Sequence, residues 1–408
     1  MGIFLAAEPQ RKANPWQGVF ILVAACLAPF IVSSASAQTS SSFYTATQQE
    51  IAGRPGTIIR KEPLTGYVPP GASAFRILYR STGLHGEPIA VSGVLVAPLG
   101  VASAAGHPIV AWSHPTSGVD QPCAPSLSPS VLQMIQGLPQ MLQRGYVVVA
   151  TDYPGLGTAG PHPYLVGLSE GRAVLDSVRA ARNLPEAHAG KRFVLWGHSQ
   201  GGHASLYAAL LAHKYAPELR LAGVAAAAPA SDLGKLSSIN ANSPDGQLLM
   251  AMLMWSWSRV FDTPLDRVAA PADIPSVELL ARQCFDPPLD SDSQPAAKPL
   301  AMASYKLTRD LATAEPWHSL LVRNTPGALP ANVPVFLAQG SDDTTIPPKL
   351  TADYMQQLCQ AGSAVHMVVL PGVDHRLIAH AAAGAAVNWM SGRLDGRPAP
   401  NDCQNNAH

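Results

Sequence analysis

The most informative segment of the sequence for the fold class is residues 192–202, which read Arg-Phe-Val-Leu-Trp-Gly-His-Ser-Gln-Gly-Gly. Its first five residues predict a short buried strand, and the alanine- and leucine-rich run that follows, to about Tyr215, predicts a helix. Between them lies a Gly-x-Ser-x-Gly motif, which is weak alone but specific at a strand-to-helix turn. Such a turn exposes a serine beside backbone N–H groups, so Ser199 is the predicted nucleophile, against the alternative of an ordinary glycine-rich turn.

Strands and helices alternate on both sides of this stretch, except in one long interval. The βα rhythm stops between residues 231 and 323, which we expect to be irregular. The pattern predicts an α/β fold with a mostly parallel, doubly wound sheet and an inserted cap or lid. The expected parts are a core at residues 38–230 and 324–408, the latter with a C-terminal tail, and a cap at 231–323. Helices are expected at residues 127–144, 168–182, 348–361 and 378–390, and strands at 107–113, 146–151, 221–228, 335–339 and 365–370.

The composition excludes several classes of protein. Of the 408 residues, 47% are hydrophobic and only 13% are charged, against about 25% charged in an average soluble domain. A large core is therefore expected and disorder is not. The 27 lysines and arginines balance the 27 aspartates and glutamates, so we expect no nucleic-acid partner.

The N-terminus has the pattern of an export signal. Arg11 and Lys12 precede an apolar stretch at residues 18–32, which is followed by the small-x-small pattern Ala-Ser-Ala. The prediction is a signal peptide at residues 1–37, cleaved after Ala37, and a secreted or periplasmic protein with no transmembrane segment in its mature form. A lipoprotein anchored at Cys26, within Val-Ala-Ala-Cys, is the minor alternative.

Four cysteines remain after removal of the signal: Cys123, Cys284, Cys359 and Cys403. An even number suits an oxidising compartment, and three pairings are open. We favour Cys359 with Cys403, tying down a polar tail, and Cys123 with Cys284, clamping two distant loops, over four unpaired thiols. No Cys-x-x-Cys pair occurs, so a zinc site is not expected. The serine hydrolase reaction considered below is expected to need no metal or organic cofactor.

An acid and a base should follow Ser199 in chain order, each at the carboxyl end of a strand. His375, after the strand ending at residue 370, is placed to take the proton of Ser199. The run Gly-Ser-Asp-Asp-Thr-Thr-Ile-Pro at residues 340–347 has the form Gly-x-x-Asp-x-x-Ile-Pro, which favours Asp343 as the acid and leaves Asp342 as the alternative. Asp374 is interpreted as a loop or capping residue.

The sequence also suggests which residues would donate hydrogen bonds to the carbonyl oxygen of a substrate and which would line its pocket. The backbone N–H of Gln200 should be one oxyanion donor, and Thr116, in the loop after the strand ending at residue 113, the other. Thr116 can also be read as a mere turn residue. Tyr153 is expected to line the pocket. In the cap, Met254 and Trp255, with their neighbours Met250, Met252 and Trp257, form either an acyl-binding surface or the cap's own core.

Four motifs together carry a family resemblance: Thr-Asp-Tyr-Pro-Gly-Leu-Gly at residues 151–157, Gly-Pro-His-Pro-Tyr at 160–164, the turn at Ser199, and residues 340–347. They resemble the secretory lipase family, α/β-hydrolases of the Candida lipase A type. The resemblance implies cleavage of carboxylic esters by Ser199, Asp343 and His375, a lid after the nucleophile, and disulfides in the lid and C-terminal regions. The sequence departs from the fungal enzyme at residues 114–118, where no aspartate stands near the oxyanion hole.

The expected function is that of a secreted serine ester hydrolase, a lipase or carboxylesterase. It would act through an acyl-enzyme on a small-molecule or lipid ester with an apolar acyl or aryl part, and contact a lipid interface if it is a true lipase. A serine peptidase is disfavoured, because no propeller domain is present. The alternative from another class is a non-catalytic envelope protein that keeps the fold and binds an apolar ligand.

Overall fold

The computed structural model describes residues 41–240, 243–285 and 304–403. The predicted signal peptide, its cleavage site and Cys26 lie outside these residues. Within them, nine strands form a single sheet in the order β1-β2-β3-β5-β4-β6-β7-β8-β9. The strands are β1 Ile58–Pro63, β2 Ala72–Thr82, β3 Pro88–Pro98, β4 His107–Ser113, β5 Val147–Thr151, β6 Ala189–His198, β7 Arg220–Ala227, β8 Val335–Gly340 and β9 Val365–Leu370.

The sheet is antiparallel at one side and parallel over the rest. Strands β1, β2, β3 and β5 pair antiparallel, and all pairs from β5 through β4 to β9 are parallel. Every residue of β5 is buried, as expected for a β-branched run in a strand that is covered on both faces. The parallel strands bring their carboxyl ends to one edge, where the loops after β4, β5, β6, β8 and β9 meet.

Helices cover both faces of this sheet. In the described residues they are α1 Ser41–Tyr44, α2 Gln48–Ile51, α3 Leu138–Gln143, α4 Gly167–Asn183, α5 Gln200–Tyr215, α6 Leu233–Asn240, α7 Pro244–Val260, α8 Ile274–Ala281, α9 Trp317–Asn324, α10 Pro348–Gln360 and α11 Ile378–Leu394. Apolar side chains of α4, α5 and α10 pack on one face, and those of α3 and α11 pack on the other. The predicted helices at residues 168–182, 348–361 and 378–390 are present as α4, α10 and α11.

The predicted helix at residues 127–144 is wrong over most of its length. The chain forms a short 3-10 turn at Pro125–Leu127 and irregular turns before α3 begins at Leu138. Proline lacks a backbone N–H and disfavours a helical conformation in the residue before it, so Pro129 interrupts the pattern. Gly137, at φ 83°, then sets the N-terminus of α3 in the left-handed region.

The chain between β7 and β8, residues 228–334, is named here the insertion. It is not irregular as expected, because its described residues contain the four helices α6 to α9. Ser243 caps α7 by accepting from the N–H of Gly246, and a proline occupies the first turn. The methionines and tryptophans of α7 are buried, and they belong to the same cluster as α3, α11 and one face of the sheet. The exact division into core and cap stays a prediction.

Two disulfides connect distant parts of the chain. Cys123 pairs with Cys284, 161 residues away, and Cys359 pairs with Cys403, 44 residues away. These are the pairings that the sequence analysis favoured. The first joins the segment after β4 to the insertion.

In the described ranges of the chain, no helix has the length and apolar character needed to cross a bilayer.

Candidate active site

The turn after β6 holds Ser199 in a strained conformation. Ser199 has φ 56° and ψ −117°, a region that side-chain-bearing residues rarely occupy and that is typical of functional sites. The residues two positions before and two positions after it must be glycines, since a Cβ on Gly197 would lie 2.1 Å from the carbonyl oxygen of Gly201. A Cβ on Gly201 would lie 1.9 Å from the carbonyl oxygen of Ser113. The turn therefore packs directly on the end of β4 and presents its hydroxyl at the carboxyl edge of the sheet.

Three side chains from separate loops meet at this edge. His375 Nε2 lies 2.9 Å from Ser199 Oγ, and His375 Nδ1 lies 2.8 Å from Asp343 Oδ2. A carboxylate can only accept, so Nδ1 carries a proton and Nε2 is free to accept the proton of the hydroxyl. The order nucleophile, base, acid in space is the arrangement that activates a serine.

The acid is fixed by its own hydrogen bonds. Asp343 is buried, and its Oδ1 accepts from the backbone N–H groups of Thr345 and Ile346 at 3.0 and 2.7 Å. Its Oδ2 accepts from Gln339 Nε2 at 3.1 Å as well as from His375. Four donors therefore orient this carboxylate and stabilise its charge.

The two neighbouring aspartates do other things. The side chain of Asp342 is exposed and accepts from the hydroxyl of Ser341 at 2.7 Å. Asp374 accepts from the backbone N–H of Leu377 at 3.0 Å, just before α11. Asp374 thus has the local capping geometry expected from the sequence, and the structure brings only Asp343 to the histidine.

His198, the residue before the nucleophile, contributes an uncharged neighbour. Its ring lies 4.9 Å from that of His375. Burial, together with the nearby His375, lowers the pKa of His198 well below its usual value. A neutral His198 does not oppose the positive charge that His375 gains when it takes a proton.

The predicted oxyanion donors lie on two elements, the first turn of α5 and the loop after β4. Gln200 is the first residue of α5, where backbone N–H groups have no partner within the helix. Its side chain is held from behind, as Nε2 donates to Glu170 Oε1 at 2.7 Å and to His162 Nε2 at 2.9 Å. Thr116 lies in the loop after β4, and its Oγ1 is 2.8 Å from the hydroxyl of Tyr164.

Comparison with known proteins agrees with this architecture. The secretory lipase family model matches residues 130–264, which contain Ser199. Lipase 10 of Candida albicans is 26% identical over 90% of this chain and 83% of its own. The crystal structure of Candida antarctica lipase A superimposes with a TM-score of 0.73 at 21% identity, covering 88% of this chain and 87% of that one.

Residues 130–264 therefore match the secretory lipases, and most of the chain is similar in sequence to a Candida lipase. Its fold is the α/β-hydrolase fold. One relative is of a different kind: a Mycobacterium tuberculosis protein described as a probable inactive lipase is 29% identical over 44% of this chain and 43% of its own.

A cavity of about 530 Å³ lies beside the loop after β4. That size is within the range of small-molecule pockets. It lies next to the Cys123–Cys284 disulfide, and its lining is mainly apolar, with contributions from Trp112, Val131 and Ile135 among others. The lining does not include the three predicted substrate-binding residues, Tyr153, Met254 and Trp255.

The structure places Tyr153 in the core, and its contact with a substrate stays a prediction. Its side chain is completely buried, and its hydroxyl donates to the carbonyl oxygen of His114 at 3.1 Å. It supports the loop after β4 and is closed to a substrate in this conformation. Met254 is also completely buried, and Trp255 is covered by the guanidinium of Arg259, 4.1 Å from the ring centre. Both pack in the core cluster, the alternative that the sequence left open, and their contact with substrate stays a prediction.

A buried polar network behind the nucleophile was missed by the sequence analysis. Glu170, in the first turn of α4, is fully buried, and its Oε2 lies 3.1 Å from His203 Nδ1. His203 Nε2 lies 2.8 Å from the backbone oxygen of Asn324, in the insertion. A buried carboxylate needs partners, so a Glu in an otherwise apolar helix face and a His four residues after the nucleophile were the available signals.

Proposed function

We propose that this protein is a serine ester hydrolase that cleaves carboxylic esters with an apolar acyl or aryl part. The observation that carries the proposal is the unbroken path of two hydrogen bonds from Asp343 through His375 to Ser199. Sequence similarity to secretory lipases supports the same reaction class.

The reaction follows from the roles of the three side chains. His375 Nε2 takes the proton of Ser199 as the hydroxyl oxygen attacks the acyl carbon, and Asp343 stabilises the imidazolium that forms. Collapse of the tetrahedral intermediate breaks the bond to the alcohol oxygen, which receives the proton from His375. Water then attacks the acyl-enzyme by the same route, with His375 as the base, and releases the acid and free Ser199.

The negative oxygen of the tetrahedral intermediate needs donors that are already in place. The N–H of Gln200 points from the first turn of α5, where the helix dipole also favours negative charge. The hydroxyl or N–H of Thr116 would be the second donor. Removal of one such donor costs on the order of 3 kcal/mol of transition-state stabilisation.

An ester with an apolar part is the proposed substrate, because an apolar cavity adjoins the loop that contains Thr116; the lining of this cavity does not include Ser199, Asp343 or His375. Whether the protein prefers soluble short-chain esters or emulsified triglyceride follows from a direct comparison of initial rates. A rate increase at the lipid interface favours a true lipase, whereas saturation by a dissolved short-chain ester without that increase favours a carboxylesterase.

A fluorophosphonate probe tests the proposal, because it forms a covalent bond with an activated serine. We expect labelling of the wild type and none in Ser199→Ala, with Ser103→Ala, an exposed serine far along the chain, labelled as strongly as the wild type. Equal labelling of wild type and Ser199→Ala would contradict the assignment of the nucleophile.

A second candidate is a non-catalytic protein that binds an apolar ligand. The observation in favour of this candidate is that one similar protein is described as a probable inactive lipase. Its expected result is no labelling at Ser199 and no ester hydrolysis in a correctly folded protein, with retained binding of a fatty acid in the cavity.

The similarity to secretory lipases and the two disulfides support an exported protein. We further propose that residues 1–37 are the signal peptide. N-terminal sequencing of the mature protein should begin at Gln38, whereas a lipid-modified Cys26 at the N-terminus would support the anchored alternative.

A further inference from the structure

The three residues His162, Pro163 and Tyr164 lie between the two predicted oxyanion donors and contact both. On one side, His162 Nδ1 is 2.9 Å from the oxygen of Pro154 and donates to it, so His162 Nε2 accepts from the side chain of Gln200 at 2.9 Å. On the other side, the hydroxyl of Tyr164 lies 2.8 Å from Thr116 Oγ1.

The same three residues are bonded to helix α7 of the insertion. The hydroxyl of Ser256 donates to the backbone oxygen of His162 at 2.6 Å and accepts from the backbone N–H of Tyr164 at 3.0 Å. The indole N–H of Trp257 donates to the backbone oxygen of Tyr164 at 2.8 Å. These groups are buried, where hydrogen bonds between neighbours hold their geometry most firmly.

We propose that Tyr164 is a positioning residue for the oxyanion hole, which orients the hydroxyl of Thr116, and that helix α7 holds Tyr164 in place through Ser256 and Trp257. This inference rests on the proposed ester hydrolase function and adds a role for the insertion in the reaction itself. Tyr164 touches no reacting atom and acts through Thr116.

Hydrogen-bond chemistry gives the direction of this effect. A threonine hydroxyl has one proton to donate and two lone pairs. If the Tyr164 hydroxyl donates to Thr116 Oγ1, the proton of Thr116 is free for the negative oxygen of the intermediate, and its oxygen is fixed in place. Burial raises the pKa of Tyr164, so this phenol keeps its proton across the working pH range. Loss of the phenol oxygen frees the Thr116 side chain to rotate among its rotamers.

The test is a double-mutant cycle on Tyr164 and Thr116, with kcat and KM measured on a short-chain p-nitrophenyl ester. Thr116→Val should lower kcat about 100-fold, as loss of an oxyanion donor does. Tyr164→Phe should lower kcat on the order of tenfold, with KM changed less than twofold. In the Thr116→Val background Tyr164→Phe should have no further effect, and in the Thr116→Ser background it should again cost about tenfold.

The matched control is Tyr305→Phe, which removes another buried hydroxyl, one that donates to the backbone oxygen of Gln247 within the insertion. It should leave kcat within twofold of the wild type. Ser256→Ala provides an independent variant that acts from the insertion. Ser256→Ala should lower kcat severalfold in the wild-type background and should not lower kcat further in the Tyr164→Phe background. Inhibition by a trifluoromethyl ketone, whose adduct resembles the tetrahedral intermediate, should weaken in parallel with kcat/KM in each variant.

The outcomes separate this inference from the function it rests on. If Ser199→Ala hydrolyses the ester at the wild-type rate, the hydrolase function and this inference both fall. If Ser199→Ala is inactive and Tyr164→Phe has the kcat of Tyr305→Phe, this inference alone falls. It also falls if Tyr164→Phe costs the same factor with and without the Thr116 hydroxyl, since that result would mean a general structural effect.

Discussion

Two histidine–carboxylate pairs lie on opposite sides of the nucleophile turn. In one, His375 Nδ1 is 2.8 Å from Asp343, and Nε2 is 2.9 Å from the hydroxyl of Ser199. In the other, His203 Nδ1 is 3.1 Å from Glu170, and Nε2 is 2.8 Å from the backbone oxygen of Asn324. The two pairs have nearly the same internal geometry and differ in the oxygen that faces Nε2.

That oxygen decides what each pair can do. A hydroxyl can donate its proton, so His375 can act as a base toward Ser199. A backbone carbonyl can only accept, so His203 Nε2 must donate, and the ring connects α5 to the insertion without chemistry. Exposure differs in the same sense: both side chains of the second pair are fully buried, whereas the His375 side chain is 13% exposed. A histidine beside a carboxylate is therefore not by itself a catalytic site.

The largest expected effect comes from changing Asp343 to asparagine. The amide would place a donor opposite His375 Nδ1 and favour the tautomer with the proton on Nε2, which cannot accept from Ser199. In a serine triad this change lowers kcat about 10⁴-fold. Steady-state hydrolysis of a p-nitrophenyl ester gives kcat, and circular dichroism confirms the fold. Asp342→Asn is the matched control and should stay within twofold of the wild type. The reverse pattern would make Asp342 the acid.

The corresponding change in the second pair, Glu170→Gln, should lower stability and leave kcat nearly unchanged. In Glu170→Gln the amide oxygen can still accept from Gln200 and from the N–H of Leu165, and the amide N–H can donate to His203 Nδ1. We expect kcat within about fivefold of the wild type and a loss of unfolding free energy on the order of 1 kcal/mol.

A change of Glu170 to leucine removes every acceptor at once. The side chain of Gln200 and the ring of His203 stay buried but lose the carboxylate that each of them contacts. This loss should cost roughly 3–5 kcal/mol of unfolding free energy. Urea unfolding of the three proteins measures both effects. If Glu170→Gln were as inactive as Asp343→Asn, the second pair would take part in the reaction and the contrast between the pairs would be wrong.

The first pair could be predicted from the sequence, and the second could not, for a physical reason. The residues Ser199, Asp343 and His375 each follow a predicted strand, and parallel strands bring such loops together whatever the details of packing. Glu170 and His203 lie inside helices α4 and α5. Their contact depends on how these helices pack and rotate against each other, which hydrophobic periodicity does not specify at the level of single side chains.

The insertion shows the same limit. Its prolines and short helices hide the 3.6-residue period, so residues 231–323 looked irregular although α6 to α9 form there. The methionines and tryptophans of α7 were correctly read as an apolar cluster, but the sequence left open whether they face a cleft or a core. In the structure they belong to one cluster, whose members include residues of α11 more than 100 positions further along the chain.

His114 is buried and, unlike His203 and His375, has no carboxylate partner among the described residues. Its two ring nitrogens lie 2.6 and 3.3 Å from the backbone oxygens of Pro115 and Asp152. Burial lowers the pKa of His114 from 6.5 to about 4. The unfolded chain therefore binds this proton first as the pH falls. The stability linked to His114 is complete above pH 6.5 and is lost between pH 6.5 and pH 4, by about 3 kcal/mol in total.

Urea unfolding at several pH values between 4 and 7 measures this dependence. In His114→Asn the unfolding free energy should fall less steeply with acid, by up to about 1.4 kcal/mol per pH unit, because one titrating group is gone. An equal slope in both proteins would contradict this, because it would mean that His114 binds its proton equally well in the folded and unfolded states.

The smallest expected effect is at Asp374, the neighbour of His375 in sequence. Its Oδ1 accepts from the N–H of Leu377 and so supplies one of the partners that the start of α11 needs. Loss of a capping side chain costs about 1 kcal/mol, and Asp374→Ala should lower the free energy of unfolding by that amount while kcat stays within twofold of the wild type. A neutral but isosteric Asp374→Asn keeps the acceptor and should lose less. If either variant lowered kcat by a factor of ten or more at unchanged stability, then a carboxylate beyond Asp343 would act on His375, and the difference between the two histidine pairs could no longer be assigned to the oxygen at Nε2 alone.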